Sequence, residues 1–144
     1  MEFALSSKHT KLFINGGNAT LTIRSKVTGT RFTYKVQCDR TKKNEPNKLL
    51  FVSVLTGNDN ISNYTYIGMI KNKIFQITKK SKFGNDAPSV KIFAWFFQKI
   101  NTDSLPSSCE VYHQGRCGRC GKKLTVPESI ITGFGPLCVN KVKI

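Results

Sequence analysis

The stretch ATLTIRSKVTGTRFTYKVQC, residues 19–38, sets the fold, because apolar and polar side chains alternate on both sides of a glycine-centred turn. Alternation with a period of two is typical of a strand that has one face in the core and one in solvent. Residues 19–25 and 31–38 therefore predict two strands, which the turn around Gly29 joins into a β-hairpin. Cys38 falls on the apolar side of the second strand, which predicts a core position rather than a ligand.

Downstream of the hairpin, three more apolar stretches complete a predicted antiparallel sheet. The polar loop DRTKKNEPNK (39–48) leads to the nearly continuous apolar run LLFVSVLT (49–56), which is typical of a central strand. The segments 64–71 and 73–80 flank Asn72 closely enough for a very tight hairpin. Consecutive strands joined by short turns pair with their neighbours along the chain, so we expect a five-stranded antiparallel meander.

The hydrophobic spacing changes at VKIFAWFFQKIN (90–101), where apolar residues recur at intervals of three or four. That interval predicts an amphipathic helix. The helix is too aromatic to stand alone, so we expect it to pack across the sheet. The predicted fold class is therefore α+β, with an OB-like, partly open barrel as one form that five such strands can take.

The charge of the chain points to a polyanionic partner. The 144 residues include 23 lysines and arginines against eight acidic residues, which gives a formal net charge of +15. Such a field attracts nucleic acid and supplies affinity through the release of counterions. A lysine-rich composition also keeps a protein soluble and follows from an AT-rich genome, but these explanations account less easily for an imbalance of this size.

The sequence also bears on the compartment. No apolar run approaches the ~20 residues that span a bilayer, and the N-terminus lacks the apolar segment of a signal peptide. We therefore expect a cytoplasmic protein without a membrane partner. The cysteines are odd in number, and three of the five lie between residues 117 and 138. A secreted disulfide scaffold would spread an even set along the chain, so this grouping favours metal binding.

Four residues carry the predicted metal chemistry: His113, Cys117, Cys120 and Cys138. Structural Zn²⁺ takes four nitrogen or sulfur ligands in a tetrahedron. The run Cys-Gly-Arg-Cys-Gly is typical of a zinc knuckle, because the two-residue spacing lets both sulfurs reach one ion and the glycines permit the turn. The last cysteine follows a Gly-Pro turn that can start a short helix. A knuckle with such a cysteine is the arrangement of a treble-clef zinc site.

The fourth ligand has two candidates in the sequence. Cys109 lies upstream of Cys117 and replaces His113 if the intervening segment bulges, whereas the shorter loop favours His113. A catalytic zinc keeps three protein ligands and an open position beside an acid or base. Because the ligand set here looks complete and Glu128 is the only nearby carboxylate besides Glu110, we predict a structural zinc and no enzymatic activity.

The segment HQGRCGRCGKKLTVPESIITGFGPLC (113–138) resembles the ending of a family of small uncharacterised bacteriophage and mobile-element proteins. The shared motif is Cys-x2-Cys-Gly…Leu-Thr-x-Pro-x-Ser…Gly-x-Gly-Pro-x-Cys. Its residues here are Cys117, Cys120, Gly121, Leu124, Thr125, Pro127, Ser129, Gly133, Gly135, Pro136 and Cys138. The resemblance implies a phage origin and a structural zinc in a treble-clef-like C-terminal element. It implies no particular reaction.

The chain is predicted to divide into a β-rich domain with one helix (1–108) and a zinc-binding module (109–144). CEVYHQG (109–115) predicts a short strand that leads into the module. Basic residues cluster around the knuckle and along the last hairpin. The predicted nucleic-acid-binding residues are Arg116, Arg119, Lys122, Lys123, Lys71, Lys73, Lys79, Lys80 and Lys82.

Aromatic residues interleave with these charges, as surfaces that stack nucleic-acid bases require. Tyr64 and Tyr66 are open to either a stacking or a core role. Four other aromatic residues are predicted to fill the core: Phe32, Tyr34, Phe51 and Phe75.

The leading functional hypothesis is a basic, zinc-stabilised, nucleic-acid-binding protein of phage type without catalytic activity. The alternative is a host-takeover or anti-defence module that binds a host protein, since a positive surface suits acidic, DNA-mimicking patches equally well. A metal-dependent nuclease is third, because a treble-clef nuclease needs a further catalytic histidine and His9 is the only other one in the chain.

Overall fold

The structure, a computed structural model, describes residues 2–57 and 63–142, and an open seven-stranded sheet forms its centre. The strand order is β1-β7-β2-β3-β4-β5-β6, and every neighbouring pair is antiparallel. The strands are β1 (Phe3–Leu5), β2 (Asn18–Ser25), β3 (Arg31–Gln37), β4 (Leu50–Leu55), β5 (Tyr64–Lys71), β6 (Ile74–Gln76) and β7 (Cys109–His113). The helices are α1 (Ser7–Ile14), α2 (Pro88–Asn101) and α3 (Pro127–Thr132), with one 3-10 turn at Arg40–Lys42.

The meander predicted from the sequence is present, but the predicted count of five strands is wrong. Strands β2 to β6 follow one another along the chain and across the sheet, as the alternation predicts. Two further strands extend the sheet beyond β2, and β7 lies between β2 and β1. Strands β1 and β6 are the two edges of the described sheet and do not pair with each other, so it is open rather than an OB-like barrel.

The tight hairpin between β5 and β6 is confirmed. Asn72 and Lys73 both have positive φ angles, 52° and 64°. Positive φ at both central residues is typical of the two-residue turns whose twist matches that of the flanking strands. The two-residue turn at Asn72 and Lys73 is thus of the kind that closes a tight hairpin between β5 and β6.

One face of the sheet, the inner face, packs against all three helices. The Tyr34 hydroxyl donates a 2.6 Å hydrogen bond to the Ser89 carbonyl in α2, and the Tyr34 ring lies 5.0 Å from that of Phe93. From α1, the ring of Phe13 lies 5.7 Å from the ring of His113 in β7. Helix α3 approaches the same histidine. The predicted packing of an aromatic helix across the sheet is therefore confirmed, and two more helices join it.

The opposite face, the outer face, is covered by none of these three helices. Its residues alternate with the core residues along each strand and include threonines, amides and aromatic rings. Cross-strand pairing sets them in rows. One row across β2 to β6 consists of Asn18, Gln37, Phe51, Met69 and Gln76. The next row, across β2 to β5, consists of Thr20, Lys35, Ser53 and Tyr66.

Helix α1 is an element that the sequence patterns did not predict. The Ser6 hydroxyl accepts the His9 backbone N–H at its start, and Phe13 and Ile14 are buried at its end. With its buried apolar residues confined to the last turn, the helix has no repeating apolar stripe to reveal it. No helix among the residues that the structure describes is long and apolar enough to cross a membrane.

The C-terminal segment shares its core with the sheet. Cys117, Leu124, Phe134 and Cys138 belong to the same cluster of buried side chains as the strands and α2. The division into 1–108 and 109–144 stays a prediction about folding units. Its second range, however, begins with β7, which lies inside the sheet.

Candidate metal centre and basic groove

Residues 116–123 form a small hairpin that we call the knuckle. The Cys117 backbone N–H donates to the Lys122 carbonyl (2.9 Å), and the Gly121 N–H donates to the Cys117 carbonyl (3.0 Å). Gly121 has a φ of 80°, in the left-handed region that glycine adopts without strain. This turn brings the side chains of Cys117 and Cys120 together.

The sulfur atoms of Cys117, Cys120 and Cys138 all lie within 4.8 Å of one another. Two sulfurs bound to one tetrahedral Zn²⁺ at ~2.3 Å are ~3.8 Å apart, so small adjustments bring all three onto one ion. Cys117 and Cys138 are buried, whereas Cys120 is exposed. The three predicted cysteine ligands therefore form a cluster that can hold a metal ion.

The surroundings of Cys117 favour its thiolate form. Its sulfur accepts backbone N–H groups from Arg119 (3.5 Å), Cys120 (3.5 Å) and Gly135 (3.4 Å). Burial opposes ionisation of the Cys117 thiol, but these hydrogen bonds outweigh it and lower the pKa below its ordinary value. A sulfur that accepts backbone N–H groups in a three-sulfur cluster is well placed to donate, as its thiolate, to a thiophilic ion such as Zn²⁺.

Cys138 lies in a different environment. Burial raises the pKa of its thiol, against the opposing effect of the Arg119 guanidinium, whose Nη1 lies 3.6 Å from the Cys138 sulfur. Metal binding to this thiol therefore releases a proton, as is usual for cysteine ligands.

His113 is not a member of the cluster, contrary to its prediction as a ligand. Its ring is fully buried, with Nδ1 3.0 Å from the Gly115 N–H and Nε2 2.7 Å from the Ile130 carbonyl. Because Nδ1 accepts a hydrogen bond, Nε2 carries the proton and donates to Ile130. Burial lowers the pKa of His113, with the Ile130 hydrogen bond opposing it. The histidine thus ties β7 to α3.

Cys109, the alternative ligand, lies elsewhere too. It opens β7 opposite Ser25, four positions and ~13 Å along the strand from His113. Among the described histidine, cysteine and acidic residues, the three cysteines form the only such cluster. A tetrahedral ion held by them takes its fourth ligand from outside this set. The prediction of a structural metal relied on a set of four protein ligands, and only three of the predicted ligands form the described cluster. A structural role for the metal therefore stays a prediction.

Glycines bring the knuckle into contact with α1 and β2. The Gly118 carbonyl accepts the Asn18 N–H (2.8 Å), and the Gly118 N–H donates to the Gly133 carbonyl (2.9 Å). A Cβ atom at Gly118 would lie 2.7 Å from a carbon of the Phe13 ring, and one at Gly133 would lie 2.5 Å from it. Both contacts are too close for any side chain, so Gly118 and the motif glycine Gly133 serve the packing of the knuckle.

Two adjoining pockets, of about 310 and 320 Å³, open beside the knuckle and share Asn18 and Gln37. We call them together the basic groove. Its cationic lining residues come from β3, the loop 39–48 and the knuckle, and no acidic residue is among the described lining. The cationic residues are Lys35, Arg40, Lys43, Arg116 and Arg119.

The structure separates the predicted basic residues into two sets. Arg116 and Arg119 line the basic groove, and Lys122 and Lys123 lie exposed on the knuckle. The other set lies at or beyond the β5–β6 hairpin, on the other side of β3 and β4 from β2. This far-edge set consists of Lys71, Lys73, Lys79, Lys80 and Lys82.

The loop 39–48 contributes groove residues that the sequence patterns did not reveal. Arg119 Nη2 donates to the Asn44 side-chain oxygen (2.6 Å), which ties the loop to the knuckle and brings Arg40 and Lys43 beside it. Asn44 lies far from Arg119 in sequence, so no local pattern could have revealed the contact.

Phe51 is a second correction, because it lies on the outer face and is 41% exposed rather than buried. Its ring centroid is 6.5 Å from that of Tyr66, and the Lys35 amine lies 4.2 Å from the centroid of the Tyr64 ring. The other three aromatic residues predicted for the core do pack there: Phe32, Tyr34 and Phe75.

Residues 110–143 match a protein family described as a family of unknown function (DUF6011). No curated protein and no solved structure matches the chain. The matched range contains most of β7, the knuckle, α3 and all three clustered cysteines. Because the family description assigns no activity, any functional argument depends on the geometry of this site.

Proposed function

We propose that the protein is a metal-stabilised, nucleic-acid-binding protein without catalytic activity, and that the basic groove binds backbone phosphates. One observation carries the proposal. Five cationic side chains from three separate segments converge beside the three-cysteine cluster, and no acid is among the described lining residues. A lysine-rich surface that served only solubility would not need to gather its charges in a concave site.

The chemistry of the groove suits a phosphodiester backbone. Arginine and lysine form charge-assisted hydrogen bonds to phosphate, and amide side chains bind phosphate and sugar oxygens. Gln37 donates one hydrogen bond to the Asn18 side chain (3.1 Å), and each amide has further donors. The net charge of +15 adds long-range attraction, so affinity should fall steeply with salt.

The metal's proposed role is to fix one wall of the groove. Cys117 and Cys120 flank Arg119 in sequence, and the Cys138 sulfur lies next to the Arg119 guanidinium. A bound Zn²⁺ would cross-link the knuckle to the C-terminal segment. Three thiolates and one Zn²⁺ leave only about one negative charge, so the surrounding cations still dominate.

The experiment that tests the proposal compares two triple variants of equal charge. In the groove variant, Arg40, Lys43 and Arg116 become serine. Arg119 is kept because it contacts Cys138 and Asn44. In the control variant, Lys8, Lys91 and Lys99 on the helices of the inner side become serine. Affinity for single- and double-stranded DNA and RNA is measured at several salt concentrations.

The groove variant should bind more weakly, and the slope of log K against log salt should flatten by roughly 0.7 to 0.9 for each phosphate that the variant no longer binds. The control variant should retain most of the affinity and slope. Equal losses in both variants would mean diffuse attraction rather than a site.

A module that binds a host protein in the cytoplasm is the second candidate. The resemblance of residues 113–138 to phage and mobile-element proteins favours it, as do three large apolar side chains exposed on the C-terminal element. These are Val126, Ile131 and Leu137. Weak, unselective nucleic-acid binding by the unmodified protein would favour this candidate. A metal-dependent nuclease stays third, because no described acid or histidine joins the cysteine cluster at ligand distance.

A further inference from the structure

The outer face of the sheet continues directly from the basic groove. Gln37 lines both pockets and is paired with Phe51 on the next strand, while Lys35 lines the first pocket and begins a path through Ser53 to Tyr66. Both rows of the outer face therefore lead from groove residues to an aromatic ring. Paired strands lie ~4.8 Å apart, so each ring is one or two strand spacings from the groove.

The two rings are held in position although they lie outside the core. The Phe51 side chain is 41% exposed, with Gln37 on one side of it and Met69 on the other. Tyr66 is fixed by a hydroxyl contact of 3.1 Å with Thr78, and its ring plane makes an angle of 50° with that of Phe51. Aromatic side chains on a polar strand face present flat apolar surface to a ligand.

We propose that the outer face binds single-stranded nucleic acid, with phosphates in the basic groove and unpaired bases stacked on Phe51 and Tyr66. This inference rests on the proposed function and adds the class of ligand to it. Stacking on an aromatic side chain uses the flat face of a base, which a duplex keeps covered by its neighbouring base pairs. A duplex can use the groove but not the rings.

The dimensions and charge of the face fit this ligand. The distance from β2 to β6 is four strand spacings, ~19 Å, which suits the short end of the ~4–16 nucleotide footprints of single-strand-binding domains. The far edge carries Lys71 at the end of β5, and Lys79 and Lys80 follow β6. A polyanion that crosses the face thus meets cationic side chains at both ends, which gives the far-edge set a role.

The test uses the full-length protein with three single substitutions. Phe51→Leu removes the ring but keeps an apolar side chain, and Phe51→Trp keeps a stacking surface. Val27→Ala, at a residue that is 81% exposed in the β2–β3 turn, is the control for loss of exposed apolar surface. The probes are an oligothymidylate, an oligouridylate and a DNA duplex of the same length, each titrated at fixed salt.

Phe51→Leu should weaken single-strand binding about 5- to 150-fold, the loss expected for one stacked base. Duplex affinity and the salt dependence should stay unchanged, because every phosphate-binding side chain is still present. Phe51→Trp should retain affinity, and its fluorescence should be quenched by the single strands beyond the change seen in the unmodified protein. Val27→Ala should behave as the unmodified protein does.

The outcomes separate this inference from the proposed function. If the groove variant loses affinity while Phe51→Leu does not, phosphate binding in the basic groove is supported and base stacking on the outer face is refuted. Equal losses of single-strand and duplex affinity in Phe51→Leu would also refute it, as would an unquenched Phe51→Trp. If the unmodified protein binds none of the three probes, both proposals fail.

Discussion

Gly118 shows how one missing side chain positions the knuckle against the body of the protein. A methyl group there would come within 2.7 Å of the Phe13 ring, which is itself buried and cannot move aside freely. We predict that Gly118→Ala destabilises the protein by about 1–3 kcal/mol, the usual cost of overpacking. The midpoint of urea unfolding measures this change in the free energy of unfolding.

Gly84→Ala is the matched control for this substitution. A Cβ atom at Gly84 has no atom within 4 Å, so its effect should stay within about 0.5 kcal/mol. Similar losses in the two variants would contradict the packing described for the knuckle.

The geometry of His113 leads to a prediction about metal content. Both of its ring nitrogens are hydrogen-bonded within the fold, so His113→Asn should keep one equivalent of metal while losing about 1–3 kcal/mol of stability from the buried partners left unpaired. Cys138→Ser should lose the metal, and Cys38→Ser, outside the cluster, should keep it. Metal analysis of protein purified without chelator measures the metal content of all three variants.

Loss of metal from a folded His113→Asn variant would show that the histidine is a ligand after all. The sequence could not decide this point, because spacing alone allows the ring to reach the cysteines. The pairing of β7 with β1 and β2 places His113 on the inner face beneath α3, where both ring nitrogens have hydrogen-bond partners, and for this reason we expect no bond from it to the metal.

At the scale of elements, the sequence predicted those strands and helices whose own residues show a clear hydrophobic period. The β2–β3 hairpin and α2 have clear periods of two and of three to four, and both are confirmed. Strand β1 is too short to show a period. In the run 49–56, apolar residues stand on both faces, so periodicity cannot say which of them are buried. Pairing of Val52 with Val36 turns Phe51 outward.

The position of β7 leads to a prediction about the two sequence ranges. Because β7 lies between β1 and β2, removing it leaves β1 without a partner and turns β2 into an edge. A fragment of residues 1–108 should therefore lack native stability, which thermal melting followed by circular dichroism would measure. The full-length protein is the reference. A fragment that melts cooperatively at the full-length temperature would support two independent folding units.

At the scale of the whole molecule, basic side chains and the three clustered cysteines are brought to the same place. Chain segments that are distant in sequence meet at the knuckle: the end of α1, the loop 39–48 and the C-terminal turn that carries Cys138. The sequence predicted the three cysteines and four of the nearby cations. It could not predict the groove, because the groove exists only where these segments meet.

The central claim is that the metal-held basic groove binds nucleic acid. The most direct measurement is the affinity for a labelled oligonucleotide, read by fluorescence anisotropy. It is made on the metal-loaded protein, on the protein after a chelator has removed the metal, and again after Zn²⁺ is restored. We predict that removal weakens binding and flattens its salt dependence, because the groove loses its knuckle wall, and that restored Zn²⁺ recovers both. Binding that is unchanged in the metal-free protein, or absent from the metal-loaded protein, would contradict the claim.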